Sequence, residues 1–219
     1  MQNKETSFSI PVLIVQLLIV AAMLITGLVL YDSLPDQLPS HWNIAGEIDA
    51  YVNKDLGIYL FPGVALAMVI LFPILSKIDP RNKKYGDFKR PWHILQMAII
   101  LFFAYMYFVS LYLTFNPEVS ISKFILVGIG VLFVVMGNYL GKVRQNYFVG
   151  IKTPWTLDNE EVWNKTHRMA GWAFLFSGLV ILIDGFVQWQ LVPVMSFAIL
   201  IAVIWPVLYS YILYRRFKK

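Results

Sequence analysis

Apolar residues along this chain come in six long blocks separated by polar stretches, at about 9–31, 57–76, 92–115, 120–140, 170–188 and 191–214. A bilayer core of about 30 Å is crossed by about 20 apolar residues in a helix, so each block is long enough to span it. The first block is longer than the core of a signal peptide, and no small-residue cleavage site follows it, so it reads as a retained span. The last two are parted only by a tight turn near Trp189–Val192. Together they are too long for one crossing. The pattern predicts an all-α, polytopic membrane protein with six transmembrane helices.

Composition agrees with this. The chain is 58% hydrophobic and 14% charged, whereas a soluble domain is about 45–50% apolar and about 25% charged. A secreted soluble enzyme, a nucleic-acid-binding domain and a disordered regulator are excluded, and no direct nucleic-acid partner is expected. The absence of cysteine removes disulfides, thiolate chemistry and Cys-ligated metal.

The distribution of charge adds orientation. Fifteen of the 18 Lys and Arg residues fall in residues 77–91, residues 141–169 and the tail from Arg215 to Lys219. Residues 32–56 carry only Lys54 against Asp32, Asp36, Glu47, Asp49 and Asp55. Because basic loops stay on the cytoplasmic side, both termini are predicted to be cytoplasmic, in the cell membrane. Trp92, Trp172, Trp189 and Tyr31 lie near span ends, where aromatic residues are enriched. The clusters at 81–90 and 215–219 are expected to touch anionic lipid, which makes membrane lipids a partner.

The spans hold few ionisable groups. Gln16, Gln96 and Asn138 are the notable polar residues, and Asp184 lies near the outer end of span five. This argues against a proton pump, an ion-coupled transporter or an intramembrane protease, which place ionisable groups at mid-depth. Gly171, Gly178 and Gly185 in span five, and Gly130 and Gly137 in span four, recur every seven residues. Such spacing puts small residues on one helix face and predicts close packing. Pro73 and Pro206 are expected to kink their helices.

Two polar connections divide the chain into an N-terminal module, 1–90, with an outer His-Trp-Asn loop, and a four-helix module, 91–219, with an inner loop at 141–169. In the outer loop, Pro39 to Trp42 reads as a short extended element and Ile44 to Tyr51 as a turn, with Asn43 and Gly46 as turn residues. His41, Glu47 and Asp49 are a weak candidate metal cluster, outweighed by a hydrogen-bonded structural histidine. In the inner loop, Thr156 or Asp158 is the expected N-cap, and Asp158 with Glu161 has the capping-box spacing. A helix from about 158 is expected to run into span five, with Val162, Trp163 and Thr166 on its membrane side. Asn146, Lys152, Thr153, His167 and Arg168 are expected to converge at the inner mouth of spans four and five. His167 beside Glu160 and Glu161 invites acid–base chemistry, but no nucleophile or oxyanion site accompanies it. No catalytic residue, metal or cofactor is assigned.

The outer segment Leu38-Pro39-Ser40-His41-Trp42-Asn43, followed by Gly46, Asp49 and Tyr51, resembles the module of unknown function that opens SdpI-like chains. The inner segment Asn146-Tyr147-Phe148-Val149-Gly150-Ile151-Lys152-Thr153-Pro154-Trp155-Thr156, with Val162, Trp163, Lys165, Thr166, His167, Arg168 and Gly171, resembles that family's signature. The SdpI-like family comprises bacterial immunity membrane proteins. The resemblance implies resistance to a secreted antimicrobial peptide toxin bound on the outer face. It also implies signal transduction, in which a cytoplasmic transcriptional repressor is held at the membrane. His41, Trp42, Asn43, Glu47, Asp49 and Tyr51 are then candidates for outer recognition. Asn146, Gly150, Lys152, Thr153, Pro154, Trp155, Trp163, Thr166, His167 and Arg168 are candidates in the inner loop. The alternatives are a small-molecule or lipid transporter, or a membrane enzyme using His41 or His167.

Overall fold

In the computed structural model, which describes residues 8–43, 47–187 and 191–217, six helices are long and apolar enough to cross a membrane. They form a multi-pass membrane bundle. Helix α1 runs over Ile10–Leu30, α2 over Lys54–Ile78, α3 over Lys89–Phe115 and α4 over Ser122–Leu140. A short α5, Pro154–Asp158, precedes α6, Glu160–Val187. The last crossing is composite: α7 (Leu191–Ile199), a wide π-turn segment (Leu200–Ile204) and α8 (Trp205–Phe217). The expected turn around Trp189 lies largely outside the described residues. Lys218, Lys219 and Gly46 lie outside them too.

The π segment has a local cause. Pro206 has no N–H to offer, and its ring would crowd the carbonyl four residues earlier. Widening the preceding turn relieves that conflict. The expected distortion at Pro206 therefore takes the form of a π segment just before it. At Pro73, whose helix runs on to Ile78, the Ser76 hydroxyl donates to the Pro73 carbonyl at 3.0 Å.

Two groups of helices build the core. Helices α1, α2 and α3 pack together through Val20, Met23, Ile58, Ala65, Ile100 and Tyr107, all buried. Phe61 and Tyr107 hold α2 to α3 with ring centroids 6.4 Å apart. The second group is dominated by α4 against α6. A methyl placed on Gly137 would lie 2.5 Å from the Leu175 nitrogen and 2.7 Å from the Gly171 oxygen. One on Gly178 would lie 2.7 Å from the Val134 nitrogen and 2.8 Å from the Gly130 oxygen. The heptad-spaced glycines thus put two backbones in direct contact. In lipid, such close packing substitutes for a hydrophobic drive between helices.

The chain between α1 and α2 departs from expectation. Residues 48–51, read from sequence as part of a turn, belong to a strand: β2 (Ile48–Asn53) pairs antiparallel with β1 (Gln37–Trp42). Leu38 and Val52 from the two strands pack onto Gly57 of α2, where a methyl would lie 2.9 Å from Leu38 Cδ1. Asn43 and Glu47 close the hairpin with paired backbone and side-chain hydrogen bonds. Pro39 fits because a two-stranded sheet consists only of edges.

Trp92 also differs from expectation. It is buried in the bundle, edge-on to Phe72 and Tyr85, with centroids 5.6 and 5.4 Å away. Trp172 is exposed on α6. Gln16 and Gln96 are buried. Asn138 faces outward and satisfies its amide on the Val134 carbonyl at 2.8 Å.

Gly137→Ala and Gly178→Ala are expected to destabilise the detergent-solubilised protein by about 1–3 kcal/mol, since a methyl there meets backbone that cannot rotate away. Gly63→Ala, with nothing within 4 Å of the new methyl, should change stability by less than about 1 kcal/mol. Thermal unfolding of the three variants checks the contrast. The cysteine-free chain also permits a direct orientation test. With the basic end in the cytoplasm, Asp49→Cys should react with an impermeant maleimide in intact cells. Lys83→Cys should react only after permeabilisation.

Candidate functional site

The inner loop, residues 141–159, is mostly irregular backbone lodged under the ends of the helices. Buried N–H and C=O groups need partners, and here side chains supply them. Asn146 is fully buried. Its Oδ1 accepts from the backbone nitrogens of Phe148 and Val149 at 2.9 and 2.7 Å, and its Nδ2 donates to the carbonyls of Arg144 and Val149. The Gln145 amide donates to the carbonyls of Thr156 and Leu157 at 2.7 and 3.0 Å. Trp163 Nε1 donates to the Val143 carbonyl at 2.9 Å.

His167 is the keystone of α6 in this loop. Its Nδ1 donates to the Trp163 carbonyl, and its Nε2 accepts from the Ile151 N–H, both at 2.9 Å. Accepting at Nε2 requires that nitrogen to be unprotonated, so the ring is the neutral Nδ1–H tautomer. The ring is fully buried and stacks on Trp163, with centroids 3.9 Å apart. Gly150 lies against it with φ of 115°, a backbone conformation that favours glycine. A methyl at 150 would also collide with His167 Nε2. Both ring nitrogens are thus committed to the main chain, and the histidine positions the loop.

The helix starts differ from the sequence reading. Thr153 caps α5: its Oγ1 accepts from the Thr156 N–H, while Thr156 Oγ1 accepts from the Thr153 N–H, a reciprocal box. Asn159, not Asp158, caps α6, taking the N–H groups of Glu161 and Val162 at 2.8 and 3.0 Å. Asp158 instead accepts from the Tyr214 hydroxyl at 2.8 Å, tying the loop to α8. Thr153 Oγ1 meets Ser210 Oγ at 3.1 Å, and Trp155 packs against Tyr211 with tilted rings, centroids 5.0 Å apart. Val162, Trp163 and Thr166, expected on the membrane side, are fully buried inside the protein. The loop wraps over this face of α6, so it never reaches lipid. Of the five residues expected to converge, Asn146, Thr153 and His167 are buried together, while Lys152 and Arg168 are exposed. Pro154 is exposed as well.

Sequence reasoning missed the other half of this site. Asp79, buried at the end of α2, accepts from the Arg81 N–H at 2.7 Å, the Tyr147 N–H at 2.9 Å and the Tyr85 hydroxyl at 3.1 Å. Arg81 donates to the Leu157 carbonyl at 3.1 Å and lies over the Tyr147 ring. Lys84 pairs with Glu160 at 2.8 Å. The available signal was Asp79-Pro80 at the end of a span, and counting Arg81 and Lys84 only as orientation charges concealed it.

At the opposite end, the hairpin presents an acidic face. Asp36, Glu47, Asp49, Asp55 and Tyr51 are exposed. His41 Nδ1 pairs with Asp49 at 2.6 Å, both largely exposed, whereas Glu47 turns to Asn43. Among the described residues, no group of three His, Cys, Asp or Glu converges to hold a metal. Trp42 is half-buried against Val109, Leu113 and Ile121. It anchors the hairpin, and Asn43 closes it.

The fold and site define a helical multi-pass membrane protein with an acidic hairpin at one end and a self-satisfied polar loop at the other. Residues 142–210 match the SdpI/YfhL protein family, and residues 18–66 match a domain of unknown function, DUF1648. The chain is 28% identical over 204 residues to Immunity protein SdpI of Bacillus subtilis (strain 168), covering 93% of this chain and 96% of the relative. It is an SdpI-like membrane protein. No solved structure matches it.

Gly150→Ala and His167→Ala are each expected to cost about 2–4 kcal/mol through collision, or through a vacated ring and an orphaned N–H. The double variant should cost less than their sum, because removing the imidazole removes the collision. Thermal unfolding of the four proteins measures the coupling, and strict additivity would refute the contact.

Proposed function

We propose that this chain is an immunity protein that protects its cell from a secreted antimicrobial peptide toxin acting at the membrane. The observation that carries the reading is the resemblance to an immunity protein along nearly the whole of both chains, with both matched segments in order. The outer end suits the task. Its exposed carboxylates raise the local concentration of a cationic peptide, and Tyr51 offers exposed aromatic surface. His41 and Asp49, held together, present a polar pair beside it.

The inner end suits a second role, relaying toxin engagement to a cytoplasmic repressor. Lys152, Pro154 and Arg168 are exposed in the inner motif, as are Tyr147 and Lys165, and they form the surface such a partner would touch. Asn146, Gly150, Thr153, Trp163 and His167 serve by holding that surface in shape.

Expression of the chain in a toxin-sensitive, immunity-deleted bacterium tests the reading. Survival and maintained membrane potential on challenge with the family's peptide toxin are expected. Glu47→Gln with Asp49→Asn should reduce protection by about 10-fold, through weaker electrostatic attraction, at unchanged membrane levels. No protection by the verified wild-type protein would overturn the proposal.

A further inference from the structure

A cleft of about 240 Å³ opens between α3 and α4, lined by Ala98, Leu101, Phe102, Tyr105, Val131 and Val135 among others. It follows from the packing. The glycine seam draws α4 onto α6, while Tyr107 and its neighbours hold α3 on α1 and α2. The two helices meet near their outer ends, where Tyr105 donates to the Phe124 carbonyl at 3.0 Å and Tyr112 packs on Phe124, and they separate below. Gly128 lines the cleft opposite Tyr105.

The outer end of this cleft is not bare. Trp42 of the hairpin packs on Val109, Leu113 and Ile121, in a cluster that also contains Tyr105. Tyr105 therefore belongs both to the seat of the hairpin and to the cleft wall. Exposed Glu47, Asp49 and Glu118 stand at this end of the molecule. Lys54 is engaged by Asp36 at 3.3 Å, and Lys123 lies over Phe186 on the α6 side.

We propose that the α3–α4 cleft receives apolar side chains of a cationic peptide that the acidic hairpin has drawn to the outer surface. The reading rests on the immunity role and gives it a binding site within the bilayer. Ligand pockets typically enclose about 300–1,000 Å³. A smaller, almost entirely apolar cleft suits one or two large side chains of a helix laid along a groove. The carboxylates above supply attraction and the cleft supplies apolar contact, so a peptide carrying both features is retained and an uncharged acyl chain gains only the second.

Photocrosslinking tests this in the intact protein. Val131→Cys and Val180→Cys, each the sole cysteine, are labelled with benzophenone maleimide in vesicles containing phosphatidylglycerol. Val180 is exposed on α6 at the depth of the cleft, since Gly130 touches Gly178. The probe is the family's peptide toxin carrying biotin. Several-fold more peptide adduct at 131 than at 180, with the excess lost in the Glu47→Gln, Asp49→Asn background, is expected. Equal peptide labelling at the two sites, or lipid adducts alone at 131, overturns the proposal. Val131→Phe, which fills the cleft from its open side, should reduce protection in cells by at least as much as the hairpin variant. Protection without the 131 adduct leaves immunity standing and removes the cleft. The adduct without protection keeps the cleft and removes the immunity reading.

Discussion

Irregular backbone at the end of a membrane bundle survives only if every buried N–H and C=O is met from within. Between Val143 and Leu157 that demand governs the sequence. Asn146 meets four backbone groups, Gln145 two, and Trp163 and His167 one each across from α6. An orphaned buried group costs about 1–3 kcal/mol, so the loop admits few substitutions. Residues that look poised for chemistry, a histidine beside an aromatic ring and a carboxamide, are here partners of the main chain.

The same economy of contact shapes the rest of the bundle. Backbone touches backbone along Gly130, Gly137, Gly171 and Gly178, which leaves α4 committed to α6 and free to diverge from α3. Large aromatic side chains do the opposite work around the first three helices, where Trp92 and Tyr107 of α3, and Tyr85 and Phe88 from the connection that precedes it, are buried. One half is joined by absence of side chains and the other by bulk. The hairpin bridges them, with Leu38 on α2 and Trp42 on α3 and α4.

Much of this was legible beforehand. Apolar blocks located every crossing, because length and polarity alone decide what enters lipid. Heptad glycines announced the α4–α6 seam, because only a fixed spacing keeps small residues on one face. Strand β2 was not legible, since Ile48–Asn53 carries neither clean alternation nor a strong turn pair, and the hairpin is seated through Trp42 on Val109, Leu113 and Ile121, far along the chain. The caps were misplaced by one to three residues because Thr153, Thr156, Asp158 and Asn159 are all competent. Asp79 was invisible as a partner because its contacts with Tyr147 lie 68 residues away.

Asp79, Arg81, Tyr85 and Lys84 fall between the two segments that match known families, residues 18–66 and 142–210. They are nevertheless what the inner loop is fastened to. The chain's two recognisable parts are therefore not interchangeable cassettes. A recombinant that joined one relative's first part to another's second would inherit a Tyr147 N–H and a Leu157 carbonyl shaped for a bracket it no longer carried. A graft that is to keep the loop's shape has to carry residues 79–85 along with it, although neither matched segment includes them.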